Sequence, residues 1–357
     1  MNKSIDFSPA LDALDTYQDQ IAAARRRQKR FWAGETVEPP PAVASGALPE
    51  VVMELPAADY AACADNPELM LASELRRALA GLAGASDLVP SIRPNLGCAV
   101  TLSCIGLEQQ FFPDRMPWLT SHLDAGAIAD LDAEAVEWRG TFRRGLEMLR
   151  FFREILGDRL AIYPMDTQGP FDLAHLIAGD ELFLLLYDDP EAVHRLMDFT
   201  TGFLIRAIAE MKRITGEPLD RMHYRNEIYS ESFGIRICED TAVLLGGEQI
   251  EEFVIPYSRR LAAHFGGSFC HYCGRNDELT ARLLAEPLFK VINFGQIPGK
   301  ETLHDFAAEM EKTRRAGKKY YGCWPHLPGE SHADYLARLA PHTENGTLFP
   351  VIEPPKA

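Results

Sequence analysis

The sequence predicts an α/β protein, a single (β/α)8 TIM barrel preceded by a helical arm. Short apolar strand candidates alternate with longer helical stretches from residue 49 onward, which implies parallel strands joined by crossover helices. About eight strand signals occur, which favours a closed barrel over an open sheet. The length of 357 residues also suits a barrel of roughly 250 residues plus insertions.

Each element follows from local chemistry. Residues 9–33 are expected to be helical, with Ser8-Pro9 as cap and first helical residue, and with Leu11, Leu14, Ile21 and Phe31 as the apolar positions. Glu38-Pro-Pro-Pro41 breaks this stretch. Residues 1–48 therefore read as an arm and residues 49–357 as the barrel. Strands are predicted at Val51–Met53, Cys98–Ser103, Leu160–Met165, Met222–Tyr224, Ser268–Cys273, Lys290–Phe294, Lys319–Cys323 and Thr347–Ile352. Helices are predicted at Ala133–Leu156, Pro190–Arg213, Gly247–Phe265, Asp277–Ala285, Glu301–Ala316 and Ser331–Ala340. Pro190, after Asp189, fits the first turn of its helix.

Composition narrows the functional classes. With 46% hydrophobic and 25% charged residues, the chain falls in the range of globular proteins. No window approaches the roughly 18 consecutive apolar residues of a membrane span. The N-terminus, MNKSIDFSPALDALD, has no apolar core of a signal peptide, so the expected location is the cytoplasm. A net charge of −16 repels phosphates and argues against nucleic-acid or anionic-membrane partners. The basic run Arg25–Arg30 reads as a solvated helix face. The seven scattered cysteines read as thiols, most of them buried and inert.

Functional side chains of a barrel sit at the C-terminal ends of its strands. The polar residues expected there are Asp166, Gln168, Glu227, His271, Cys273, Asn293, Gln296, Cys323 and Glu353. His271 and Cys273 are two apart, so on a strand they share one face. Imidazole nitrogen and thiolate sulfur together suit Zn²⁺. A catalytic zinc needs about three protein ligands. Cys323 is the first choice for the third; Glu353, Glu227 and Asn293 are the alternatives. Cys270-His-Tyr-Cys273 is also a CxxC, but it ends a strand, whereas redox pairs of this type begin a helix.

Five blocks then carry a resemblance: Gly169-Pro-Phe-Asp-Leu-Ala, Leu186-Tyr-Asp-Asp-Pro-Glu-Ala-Val, Glu239-Asp-Thr-Ala-Val-Leu-Leu, Glu252-Phe-Val-Ile-Pro-Tyr and Phe265-Gly-Gly-Ser-Phe-Cys-His-Tyr-Cys-Gly. Over residues 160–330 the chain resembles the uroporphyrinogen decarboxylase superfamily. One branch decarboxylates uroporphyrinogen without a cofactor and carries an arginine-rich N-terminal signature. Neither Arg25–Arg30 nor Arg93-Pro-Asn matches that signature. The other branch comprises zinc methyltransferases, whose His-x-Cys is matched by His271-Tyr-Cys273. Their third ligand is a Cys near the last strand, where this chain reads Leu348-Phe-Pro-Val-Ile-Glu353.

The resemblance implies a methyltransferase moving a methyl group between a corrinoid protein and a thiol or folate at a zinc site. Asp166, Glu227 and Asp240 are then the expected catalytic residues. Gln168, Tyr229, Asn293, Gln296 and Glu353 are expected to bind substrate. Expected partners are a small-molecule substrate and a corrinoid protein, with a homodimer as the candidate assembly. The alternatives are a cofactor-free decarboxylase of uroporphyrinogen or a related polycarboxylate, and a small-ligand-binding barrel without catalysis.

Overall fold

The computed structural model describes residues 5–44, 54–82, 84, 86–295 and 304–353. The chain forms a (β/α)8 barrel. Its parallel strands are β1 (Val43–Ala44), β2 (Ser91–Ile92), β3 (Ala161–Ile162), β4 (Ile235–Cys238), β5 (Ser268–Cys273), β6 (Phe289–Gly295), β7 (Lys319–Gly322) and β8 (Leu348–Ile352). One continuous sheet runs in the order β1-β8-β7-β6-β5-β4, and β2 pairs with β3.

The two halves of the barrel are built differently. Strands β4–β8 are longer and continuously hydrogen-bonded. Strands β2 and β3 have two residues each, because Pro90, Pro94 and Pro164 flank them and proline offers no N–H to a ladder. The seams beside this pair are closed irregularly. The Gly169 N–H donates to the Cys238 carbonyl at 2.6 Å, and the Asp87 N–H donates to the Ala42 carbonyl at 2.9 Å.

An antiparallel hairpin, Met222–Tyr224 with Ile228–Ser230, reaches into the barrel interior. Its tip lies against β2: the Val89 N–H donates to the Glu227 carbonyl and the Ser91 N–H to Asn226 Oδ1. Tyr224 packs edge-on against Phe269 of β5. Helices α1 (Ser8–Thr16) and α2 (Gln18–Trp32) form the N-terminal part. Trp32 contacts Phe349 and Phe233, so α2 seals the N-terminal end of the barrel with aromatic rings.

Several expectations shift. The strand predicted at Cys98–Ser103 is a tight helical turn, Val100–Ile105, in which Ser103 Oγ donates to the Val100 carbonyl at 2.8 Å. Such local side-chain bonding competes with a strand ladder. Met222–Tyr224 is extended but belongs to the hairpin, and the barrel strand at this position is β4, which was not foreseen. Residues 9–33 form two helices that break at Tyr17, with Phe7 rather than Ser8 at the first cap. The predicted helix Gly247–Phe265 is interrupted by a wide turn at Ile250–Val254, just ahead of Pro256. The basic run is not simply solvated, because Arg27 pairs with Asp87 and Lys29 with Glu231. The strand predicted at Val51–Met53 and the binding residue Gln296 lie outside the described residues.

Candidate active site

Along β5 the side chains alternate, and Phe269, His271 and Cys273 share the interior face. On β4 the interior positions are Arg236 and Cys238, with Cys238 in register with His271. Asp240 follows the end of β4. The Cys238 sulfur, an Asp240 oxygen and a His271 nitrogen all lie within 4.8 Å of one another. Cys273 joins them: its sulfur is 3.5 Å from His271 Nε2, and its N–H donates to Asp240 Oδ1 at 2.6 Å.

The orientation of the imidazole follows from its neighbours. The Asn293 amide donates through Nδ2 to the Tyr321 carbonyl at 2.6 Å, so its Oδ1 is an acceptor. That oxygen faces His271 Nδ1 at 2.6 Å. The Nδ1 therefore carries the proton, and the Nε2 lone pair points toward Cys273 and Asp240. Burial pushes the His271 imidazole down to about 4, and the Arg236 charge acts in the same direction. A neutral imidazole with a free Nε2 is the form that binds metal. Burial and the Asp240 charge push the Cys273 thiol up to about 12. Two glycines make room: a Cβ at Gly295 would strike Cys273 Sγ, and one at Gly322 would strike the Asn293 amide.

The donor set of imidazole, two thiols and a carboxylate fits zinc in kind. Asn293 has the place of the outer partner that fixes a ligating histidine.

Asp166 stands below this cluster in a chain of charges. Its Oδ2 accepts from Arg93 at 3.0 Å and its Oδ1 from Arg236 at 3.1 Å. Burial alone would raise its carboxyl, but the Arg93 and Arg236 charges outweigh burial and hold it below the ordinary carboxylate value. Gln168 lies near Cys98, and its Oε1 is buried without a partner.

The other expected site residues disperse. Cys323 is not in the His271 group among the described residues. It sits with Glu353 and Tyr335 instead, and burial and the Glu353 carboxylate push its thiol up. Glu353 also accepts from the His326 N–H at 3.3 Å. Glu227 rides on the hairpin tip rather than on a barrel-strand end, and accepts from the Tyr321 hydroxyl. Tyr229 lies at the N-terminal end beside α2, where its N–H donates to Gln28 Oε1 and its hydroxyl to Glu231. It is therefore away from the mouth where a substrate role was expected. Sequence reading passed over Cys238 and Arg236, because β4 was not recognised although the neighbouring Glu239-Asp240 block was.

Fold and site together define a barrel with a His-x-Cys cluster at the mouth. By its sequence the chain belongs to the uroporphyrinogen decarboxylase (URO-D) family, whose profile matches residues 23–213. That span begins inside α2 and ends before His271, so it rests on the N-terminal half more than on the blocks noted above. The chain is similar to the methylcobamide:CoM methyltransferase MtbA of Methanosarcina acetivorans, 30% identical over 135 residues, which are 36% of this chain and 35% of that protein. The match thus spans about a third of that curated relative. In three dimensions it resembles a methyltransferase from Methanosarcina mazei, with a TM-score of 0.63 and 18% identity over 93% of this chain and 94% of that one. Among the described residues no helix is long and apolar enough to cross a membrane.

Proposed function

We propose that the protein is a methyltransferase that moves a methyl group between a corrinoid carried by a partner protein and a small thiol or folate acceptor. The observation that carries this reading is the cluster of His271, Cys273, Cys238 and Asp240. His271 Nε2 and Cys273 Sγ would hold zinc, with Cys238 and Asp240 as the nearest further donors. Bound zinc would keep an acceptor thiol deprotonated near neutral pH. Asn293 holds the imidazole in the Nε2-free tautomer. Asp240 fixes the Cys273 backbone. Asp166, held ionised by two arginines, sets the positions of Arg93 and Arg236 below the cluster. Similarity to the Methanosarcina acetivorans methyltransferase also supports the reading.

Metal analysis and a transfer assay test it. Purified protein supplied with zinc is expected to hold one ion per chain and to consume methylcobalamin when a thiol is added. Cys273→Ser is expected to lose both properties. Wild-type protein that binds no zinc would sink the proposal.

A cofactor-free decarboxylase of a polycarboxylate is the second reading. It is favoured by a cavity of about 370 Å³ whose lining includes Arg77, Arg93 and Arg225. Release of CO2 from uroporphyrinogen by zinc-free protein would put it first.

A further inference from the structure

We propose that the cavity beside β1 and β2 is a carboxylate-binding site, in which Arg225 receives the carboxylate of a small organic acid. The cavity is about 370 Å³, within the range of small-molecule sites. Val43, Val351 and Tyr163 form apolar and aromatic wall, while Arg77, Arg93 and Arg225 supply the charge.

Arg225 differs from its two neighbours. Arg77 is paired with Glu74 and Arg93 with Asp166. Among the described residues Arg225 has no hydrogen bond and no carboxylate within 4.0 Å. Its side chain is exposed although it stands on a hairpin tip inside the barrel, because it borders the cavity. The remaining acid in the lining, Glu227, accepts from the Tyr321 hydroxyl and feels the Arg225 charge, but lies beyond ion-pair distance of it. The cavity therefore offers one guanidinium without a carboxylate partner, in the planar fork that matches a carboxylate with two parallel bonds.

The backbone adds a second observation. Arg225 has φ +53° and Asn226 φ +63°. The left-handed region costs an L-residue other than glycine about 1 kcal/mol or more. Asn226 has a local reason to be there, since its amide bonds the Ser91 N–H and the Arg77 carbonyl. Arg225 has none. A strained position where glycine would be cheaper keeps a long charged side chain, and that side chain faces a cavity.

Arg225 also lies close enough for its charge to act on the His271 imidazole. Arg93 lines the cavity and begins the chain through Asp166 to Arg236. That an acid seated on Arg225 is the substrate rests on the proposed function; the affinity of the cavity for a carboxylate does not.

Titration calorimetry with glutarate, glutaramide and inorganic phosphate tests the site on the full-length protein. Arg225→Gly relieves the backbone strain and is expected to fold at least as well as the parent. It is expected to bind glutarate roughly 30-fold more weakly, the scale of a lost charged hydrogen-bond pair. Arg225→Lys keeps the charge without the fork and should fall between. Glutaramide and phosphate should each bind the parent at least about tenfold more weakly than glutarate, lacking the charge and the planar shape respectively. Equal glutarate binding by parent and Arg225→Gly, or no glutarate binding by the parent, overturns the site. Glutaramide or phosphate binding as tightly as glutarate overturns the carboxylate assignment. Zinc content is read separately, so failure of the metal reading leaves this result standing and the reverse also holds.

Discussion

Two buried charge clusters line one narrow crevice of this barrel, and they are finished to different degrees. In the first, the Lys212 ammonium donates to Glu217 Oε2 at 2.6 Å and to the carbonyls of Arg221 at 2.6 Å and Pro218 at 3.3 Å. Glu217 Oε1 accepts from the His223 N–H and faces His223 Nδ1, each at 2.8 Å. All three ammonium protons and both carboxylate oxygens are used. In the second, Asp166 bridges Arg93 and Arg236, but Arg236 Nε and Gln168 Oε1 are buried without partners. A cluster that satisfies itself has only a structural task. One that keeps unused donors and acceptors, beside a cavity and a His-Cys pair, has capacity left for a ligand.

The closed cluster is the place to break stability. Lys212→Met leaves Glu217 buried without its cation, which typically costs about 3–5 kcal/mol. Urea unfolding at neutral pH is the measurement, with zinc binding per folded molecule expected to stay unchanged. A loss below about 1 kcal/mol would show that the pair is not sealed. The parent should also lose stability on acidification. Burial raises the Glu217 carboxyl, but Lys212 and His223 outweigh it and hold it below 4.5. Burial depresses His223 below 6.5. Both groups bind fewer protons folded than unfolded, so stability is full at neutral pH. It falls first below about 6.5, as His223 must charge, and again below about 4.5.

The His-Cys pair beside the open cluster is the place to break function while sparing the fold. Asn293→Ala removes the partner of His271 Nδ1 and frees the imidazole to turn. Loss of such an outer partner typically weakens metal binding by about 10–100-fold. Competition with a chelator measures it, and Asn293→Asp, which retains an acceptor oxygen for Nδ1, should recover part of the affinity. Unchanged zinc affinity in Asn293→Ala would mean that His271 is not oriented this way when metal is bound.

The same contrast explains what the sequence revealed. Strands β5 to β8 were legible, because each is a short apolar run between helical stretches with turn residues at its ends. His271, Cys273 and Asn293 came with them, since period-two alternation puts them on one face. Most of the first half was opaque. Pro90 and Pro94 cut β2 to two residues, too short for any pattern to register, whereas β3, equally short, lies within the strand predicted at Leu160–Met165. The hairpin at Met222–Ser230 looked like a barrel strand, which hid β4 and with it Arg236 and Cys238. Glu227 and Tyr229 were assigned to the mouth for the same reason. The pairing of Arg93 with Asp166 spans 73 positions, and no local signal announces such a contact.

Cys323→Ser is the smallest effect and the sharpest check on the cluster. Cys323 was the sequence's choice for the third ligand, but its thiol sits with Glu353 and Tyr335. Cys238 is within 4.8 Å of the His271 and Asp240 ligand atoms instead. A serine hydroxyl can donate to Glu353 as the thiol does, so the exchange should shift stability by less than about 1 kcal/mol, as with most substitutions that leave no buried group unpaired. Zinc affinity should change by less than about twofold, while Cys238→Ser should weaken it by at least about tenfold, because alcohol oxygen is a poorer zinc donor than thiolate sulfur. The two variants are therefore read as a pair by chelator competition. If Cys323→Ser loses zinc and Cys238→Ser keeps it, the metal draws β7 inward on binding and the spacing argument outranks the geometry. If both keep it, Asp240 completes the site with His271 and Cys273, and Asp240→Asn becomes the variant that must fail.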